Sequence, residues 1–208
     1  MKTTVSSPRL CGGWFGAPLS PVLVVIVIVA TLPTALPTAA AAADAVRLGV
    51  GDRVIDFDLP IVGSDDYLQL EKEIDHGVVV VVVLRGYPGY QCPICNQQLG
   101  QLINRASTLA QLAHRVIVVY PGDSDLLARH ANDFVGSRRI PDPLVVVRDP
   151  GMKMVTQWGL RWDAPRETAY PAAYVIKKNR RVGWAKVSTS HAGRSTADEI
   201  IGELRRLK

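Results

Sequence analysis

Six consecutive valines, Val78 to Val83, constrain this chain more than any other stretch of it. A run that is β-branched and apolar on every side has no polar face to offer water. It therefore predicts a central strand buried on both faces, as in a parallel sheet covered by helices. His76-Gly77 lead into the run and Leu84 ends it. A turn-rich loop follows, Arg85-Gly86-Tyr87-Pro88-Gly89-Tyr90-Gln91, and delivers Cys92-Pro93-Ile94-Cys95 to the start of a helix pattern.

That helix is expected from Cys92 to His114, because Leu99, Leu102, Ile103, Ala106, Leu109 and Ala113 recur at helical spacing and make one apolar stripe. Pro93 suits a first helical position, where its missing N–H would be unpaired anyway. Cys92 then occupies or adjoins the N-cap, where unpaired backbone donors and the helix dipole favour an anion. Its thiol should ionise below the ordinary value of about 8.5. Cys95 lies one turn further in, within reach of Cys92 for a small disulfide, and its burial makes it the weaker nucleophile. The division of labour is that Cys92 attacks and Cys95 resolves. Strand, loop, Cys-x-x-Cys and helix in that order point to thiol redox chemistry.

Two other uses of the pair have weaker footing. A zinc site needs four ligands, and His76, His114, His130 and His191 offer no His-x3-His partner to complete one. A purely structural disulfide across three residues closes too short a loop to stabilise much.

The chain holds three cysteines in 208 residues, too few for a disulfide framework. The first, Cys11, sits in an N-terminal stretch unlike the rest. Lys2 and Arg9 are its only charges before Asp44, Val22 to Ala30 is continuously apolar, and Ala39 to Ala43 supplies small residues. Residues 1–45 are expected to be a signal peptide, cleaved after Ala43 or Ala45, with residues 46–208 forming one domain exported to a periplasmic or other extracytoplasmic space. The alternative is an uncleaved membrane anchor. A span takes about 20 apolar residues, however, and Pro33 and Pro37 interrupt this one.

The whole chain carries 24 basic and 19 acidic residues for a net charge of +5; without Lys2 and Arg9 the balance is +3. The remaining positives fall in scattered groups, Arg138-Arg139, Lys177 to Arg181 and Arg205-Arg206, with no interleaved aromatic stripe. Nucleic acid is therefore not an expected partner. With 48% hydrophobic and 21% charged residues, disorder and coiled coil are excluded as well.

Further along, Arg115 to Tyr120 and Leu144 to Val147 read as strands. A helix capped by Asp123 or Ser124 carries Leu127, Ala131 and Phe134. A short helical piece runs to Trp158, Ala172–Ile176 and Val182–Val187 form an antiparallel hairpin, and Ser195 to Leu207 closes the chain as a helix. This order predicts an α/β fold with a central mixed β-sheet flanked by helices.

Gly51-Asp52-Arg53-Val54-Ile55-Asp56-Phe57-Asp58-Leu59 resembles the opening segment of the alkyl hydroperoxide reductase/thiol-specific antioxidant family, the peroxiredoxin-like and redoxin proteins. Val83-Leu84-Arg85-Gly86 leading into Cys92-Pro93-Ile94-Cys95 resembles the branch with a Cys-Pro-x-Cys active site. Pro121-Gly122-Asp123-Ser124, Arg148-Asp149-Pro150-Gly151, Trp158-Gly159-Leu160-Arg161 and Tyr170-Pro171-Ala172-Ala173 follow in the same order.

The resemblance spans residues 47 to 207 and implies a thioredoxin-like fold, with Cys92 in the place of the peroxidatic cysteine. It implies a peroxide or an oxidised protein as substrate, no bound cofactor, and an external thioredoxin-like dithiol as reductant. Pro171 falls where the superfamily places a cis-proline, which would offer the backbone of Tyr170 to a bound substrate. Two departures stand out. Gly89 replaces the family's Thr or Ser three residues before the attacking cysteine, and Pro171 occupies the strand position of its arginine. Arg161 and Arg166 are near enough in sequence to substitute, and Arg85 or Arg166 could depress the Cys92 pKa or orient a peroxide. Two other functions fit the same motif: an exported protein disulfide reductase resembling cytochrome-maturation thioredoxins, and a Cu(I)-binding chaperone that uses both thiolates.

Overall fold

The computed structural model describes residues 47–207. The expected signal peptide, with Cys11 and its cleavage site, lies outside the described residues. Among the described residues no helix is long and apolar enough to cross a membrane.

The valine run does form the central strand. Strand β3 (Val79–Val83) is the middle member of a five-stranded sheet. On one side it pairs parallel with β4 (Arg115–Gly122), which pairs parallel with β5 (Leu144–Pro150). On the other it pairs antiparallel with β6 (Ala172–Ile176), which returns as β7 (Val182–Val187).

Both faces of the sheet are covered, so alternation along β3 sends side chains into two cores. Val80 and Val82 join Leu99 and Leu102 of α2 (Pro93–Asn104), Leu109 of α3 (Ala106–Ala110), Phe134 of α4 (Leu127–Val135) and Ile200 of α6 (Ala197–Arg206). Val79, Val81 and Val83 join Leu70 and Ile74 of α1 (Leu70–His76), Val155 of α5 (Lys153–Gln157) and Trp158. Each valine of the strand is wholly buried, which stabilises the fold by about 1.5 kcal/mol or more per side chain.

Three local expectations are corrected. The long helix is two helices, because Arg105 leaves helical geometry (φ −107°, ψ 9°) and its guanidinium pairs with Asp198 of α6 at 2.9 Å. The apolar stripe survives the break, since Ala106, Leu109 and Ala113 are still buried. Helix α4 starts at Leu127 without a side-chain cap, and Ser124 instead accepts a hydrogen bond from the Leu126 N–H in the turn ahead of it. The hairpin of β1 (Asp58–Pro60) and β2 (Tyr67–Gln69) and the helix α1 were not anticipated. Three-residue strands are too short for alternation to show, and α1 buries only Leu70 and Ile74.

Candidate active site

The loop after β3 is pinned before it reaches the cysteines. Gly86 (φ +79°) brings the chain against β4, where the Tyr87 N–H donates to the Pro121 carbonyl at 2.9 Å. Tyr120 donates to the Gln91 side chain at 2.8 Å, and the Gln91 amide donates to the His130 carbonyl of α4, also at 2.8 Å. The residue before Cys92 is thereby tied to both a strand and a helix.

Cys92 is the N-cap of α2, with Pro93 opening the helix and no acidic residue in its first turn. The Cys95 N–H donates to the Cys92 sulfur at 3.4 Å. Both cysteines are free thiols, Cys92 only 3% exposed and Cys95 fully buried. A hydrogen bond from the Cys95 thiol, helped by the Cys95 backbone N–H and the charges of Arg194 and Arg85, outweighs burial and pulls the Cys92 pKa down to about 5. The same hydrogen bond and burial push the Cys95 pKa far up. Cys92 is therefore the more readily ionised of the two, and Cys95 holds its proton more firmly.

Arg194, which sequence reasoning missed, lies across both sulfurs. One terminal nitrogen donates to Cys95 Sγ at 3.1 Å and the other to Cys92 Sγ at 3.8 Å, while Gln98 Oε1 accepts at 3.4 Å. Its Nε donates to the His191 carbonyl at 3.0 Å. Arg194 comes from the loop before α6, 99 residues beyond Cys95, and no local spacing links the two.

Arg85 is buried at the end of the strand and is bound to Glu167 (2.6 Å), the Tyr90 hydroxyl (2.5 Å) and the Arg166 carbonyl (2.7 Å). Burial opposes its charge, but the hydrogen bonds it donates to Glu167 and Tyr90 prevail and its pKa rises. Thr168 also donates to the Arg85 carbonyl. Glu167, likewise missed in sequence, ends this network, and its other oxygen meets His191 at 2.8 Å.

The remaining expected residues sit elsewhere. Arg166 is exposed in a left-handed turn (φ +61°) and contributes its carbonyl to Arg85, so the charges felt by Cys92 are those of Arg194 and Arg85. The Arg161 guanidinium is occupied by Met152 Sδ (2.8 Å) and the Thr168 carbonyl (3.0 Å).

Tyr170–Pro171 is trans, and the cis bond among the described residues is Asp142–Pro143. Pro171 continues an extended run into β6, in which the Tyr170 N–H donates to Leu160 and the Pro171 carbonyl accepts from Ser188, each at 2.8 Å. That N–H of Tyr170 is therefore already paired within the fold. The Tyr170 ring stacks on Trp162 at 4.7 Å.

A cleft of about 470 Å³ opens beside the loop, walled by Tyr87, Pro88, His130, Arg161, Glu167 and Thr168. Among the described residues no cluster of three or more His, Cys, Asp or Glu side chains is placed to hold a metal ion.

The family model for the AhpC/TSA family matches residues 50–185. Similar solved structures include the peroxidoxin BcpB of Mycobacterium tuberculosis, at 21% identity and TM-score 0.61, covering 78% of this chain and 99% of that one. A peroxiredoxin-like protein of Aquifex aeolicus is similar at 17% identity and TM-score 0.61, covering 78% and 89%. Reduced Prx3 of Vibrio vulnificus in complex with hydrogen peroxide is similar at 15% and 0.61, covering 77% and 98%. No curated protein matches the sequence.

Proposed function

This chain belongs to the AhpC/TSA family of thiol-based oxidoreductases, and from that premise we propose that it is a peroxidase in which Cys92 attacks a small peroxide and Cys95 resolves the product. The observation that carries this choice is the enclosure of a depressed thiolate, Cys92 being 3% exposed beneath Arg194. Attack on a protein disulfide needs a sulfur on another backbone to approach in line with the Cys92 sulfur, and this enclosure resists such an approach. A peroxide presents only a pair of oxygens.

The Cys92 thiolate displaces the O–O bond and takes one oxygen as a sulfenic acid. The departing hydroxide or alkoxide leaves as water or alcohol once protonated. The Arg194 guanidinium takes the part of the family's strand arginine, balancing the thiolate and then the charge on the departing oxygen. The Cys95 sulfur next attacks the sulfenic sulfur, its proton leaves with the hydroxyl as water, and a Cys92–Cys95 disulfide forms. An external dithiol, thioredoxin-like as the family implies, returns both thiols and is itself oxidised to a disulfide. The cycle runs without a bound cofactor. A cation lying over both sulfurs disfavours Cu(I), so the metal-chaperone alternative has no observation behind it.

Stopped-flow mixing of the reduced protein with hydrogen peroxide, and separately with a disulfide-bonded protein, tests the choice. Peroxide should oxidise Cys92 at least about a hundredfold faster, a difference of roughly 2.7 kcal/mol in barrier. Sulfenic acid should be trapped at Cys92 in the Cys95→Ser variant. Faster reaction with the protein disulfide would replace this proposal with the reductase.

A further inference from the structure

We infer that His191 and Glu167 are positioning residues that hold Arg194 over the two sulfurs. This rests on the reading of Cys92 as the attacking thiolate and extends the site to two residues outside the cysteine motif. Arg194 spends its terminal nitrogens on Cys92, Cys95 and Gln98, so its remaining nitrogen, Nε, and the backbone behind it set where the guanidinium lies. That nitrogen bonds the carbonyl of His191. The orientation of Arg194 is therefore tied to the placement of His191.

The loop has little else to hold it. Residues 189–193 are exposed, and Gly193 turns through φ +75°. Its internal bonds run from the Ser188 hydroxyl to the carbonyls of Ser190 and Ala192, which shape the loop without attaching it to the sheet. Its ends are held by the Ser188 N–H on the Pro171 carbonyl (2.8 Å) and by the Gln98 amide on the Ser195 carbonyl (3.1 Å), and between them the attachment is the His191 side chain. Its Nε2 meets Glu167 Oε1 at 2.8 Å, and its ring lies 5.2 Å from that of Trp162.

Glu167 is a firm anchor, because its other oxygen is bound to Arg85, which is buried at the end of the central strand. The hydrogen bonds from Arg85 and His191 outweigh burial and hold the Glu167 carboxyl below its ordinary pKa. A chain of contacts thus runs from the strand through Arg85, Glu167 and His191 to Arg194. The strand sets the position of the cysteine-bearing helix and, through this chain, of the cation above it.

His191 is the position to test, because it is nearly half exposed and its removal leaves the buried Arg85–Glu167 pair intact. The rate of Cys92 alkylation by iodoacetamide would be followed against pH for the reduced wild type and for Arg194→Met, His191→Ala and His191→Gln, with near-ultraviolet circular dichroism to confirm the fold. Arg194→Met should move the midpoint upward by about one pH unit, the effect of losing an adjacent cation. His191→Ala should move it in the same direction, and His191→Gln, whose amide can still donate to Glu167, should restore most of the wild-type midpoint. An Arg194→Met shift with an unmoved His191→Ala would overturn the positioning role and leave the proposed peroxidase standing. An equal shift in His191→Gln and His191→Ala would overturn it too, because the hydrogen bond would not be the cause. No shift in Arg194→Met would instead remove the premise that Arg194 acts on the Cys92 thiolate.

Discussion

Cys92 and Cys95 have the same side chain and sit one helical turn apart, yet they titrate in opposite directions. The difference lies in position along the helix start: Cys92, at the N-cap, receives a backbone N–H and the Cys95 thiol hydrogen, while Cys95 is sealed in the core. The consequence for stability can be measured. The folded pKa of Cys92 lies below its unfolded value of about 8.5. Its contribution is therefore fully present above that value and is lost as pH falls through about 5. The folded pKa of Cys95 is raised, so its contribution is constant below about 8.5 and fades only at higher pH. Between these limits Cys92 is the one of the two whose protonation differs on folding. The gap in melting temperature between the reduced wild type and Cys92→Ser should narrow as pH falls from about 8.5 to 5, and a gap that stays constant or widens counts against the depressed thiol. The Cys92 N-cap was legible in the sequence because Pro93 marks the first helical residue. The cation was not, because nothing near Cys92 in the chain signals Arg194.

At the scale of elements, the unit that matters is β3, its loop and α2. The loop must leave a buried strand and place a cysteine at a helix start within eight residues, Leu84 to Gln91, and Gly86 makes this possible. At φ +79° a β-carbon is strained, and one built there would collide with the Pro121 carbonyl. Gly86→Ala should destabilise the protein by about 2–4 kcal/mol, combining backbone strain with displacement of β4. It should also slow peroxide reduction, because Tyr87 and Gln91 lose their register. Chemical denaturation and peroxide kinetics on the same variant check both effects, and unchanged stability would mean that the loop has another path. The valine strand, the β6–β7 hairpin and α6 were legible because each carries a long apolar pattern. The break at Arg105 was not, because the apolar stripe continues past it through Ala106, Leu109 and Ala113, and β1, β2 and α1 carry too few apolar residues to stand out.

For the whole molecule, the five-stranded sheet with helices on both faces confirms the α/β fold expected of the family. Export is a proposal carried by residues 1–45 alone. Expression in a bacterial host should yield a secreted form beginning at Asp44 or Arg47's neighbour Val46, as read by N-terminal sequencing, whereas a product starting at Met1 in the membrane fraction would favour the anchor. The sequence by itself determined the buried central strand and the cysteine pair at a helix start. These depend on residues within about one turn or one strand of each other, where side-chain shape and backbone geometry dictate the outcome. Only the tertiary structure decided which charges act on the pair. It chose Arg194 over Arg166, set Glu167 between Arg85 and His191, and made Tyr170–Pro171 trans. Those groups meet across separations of 24 to 102 residues, and folding into one sheet with its loops at one end is what brings them together.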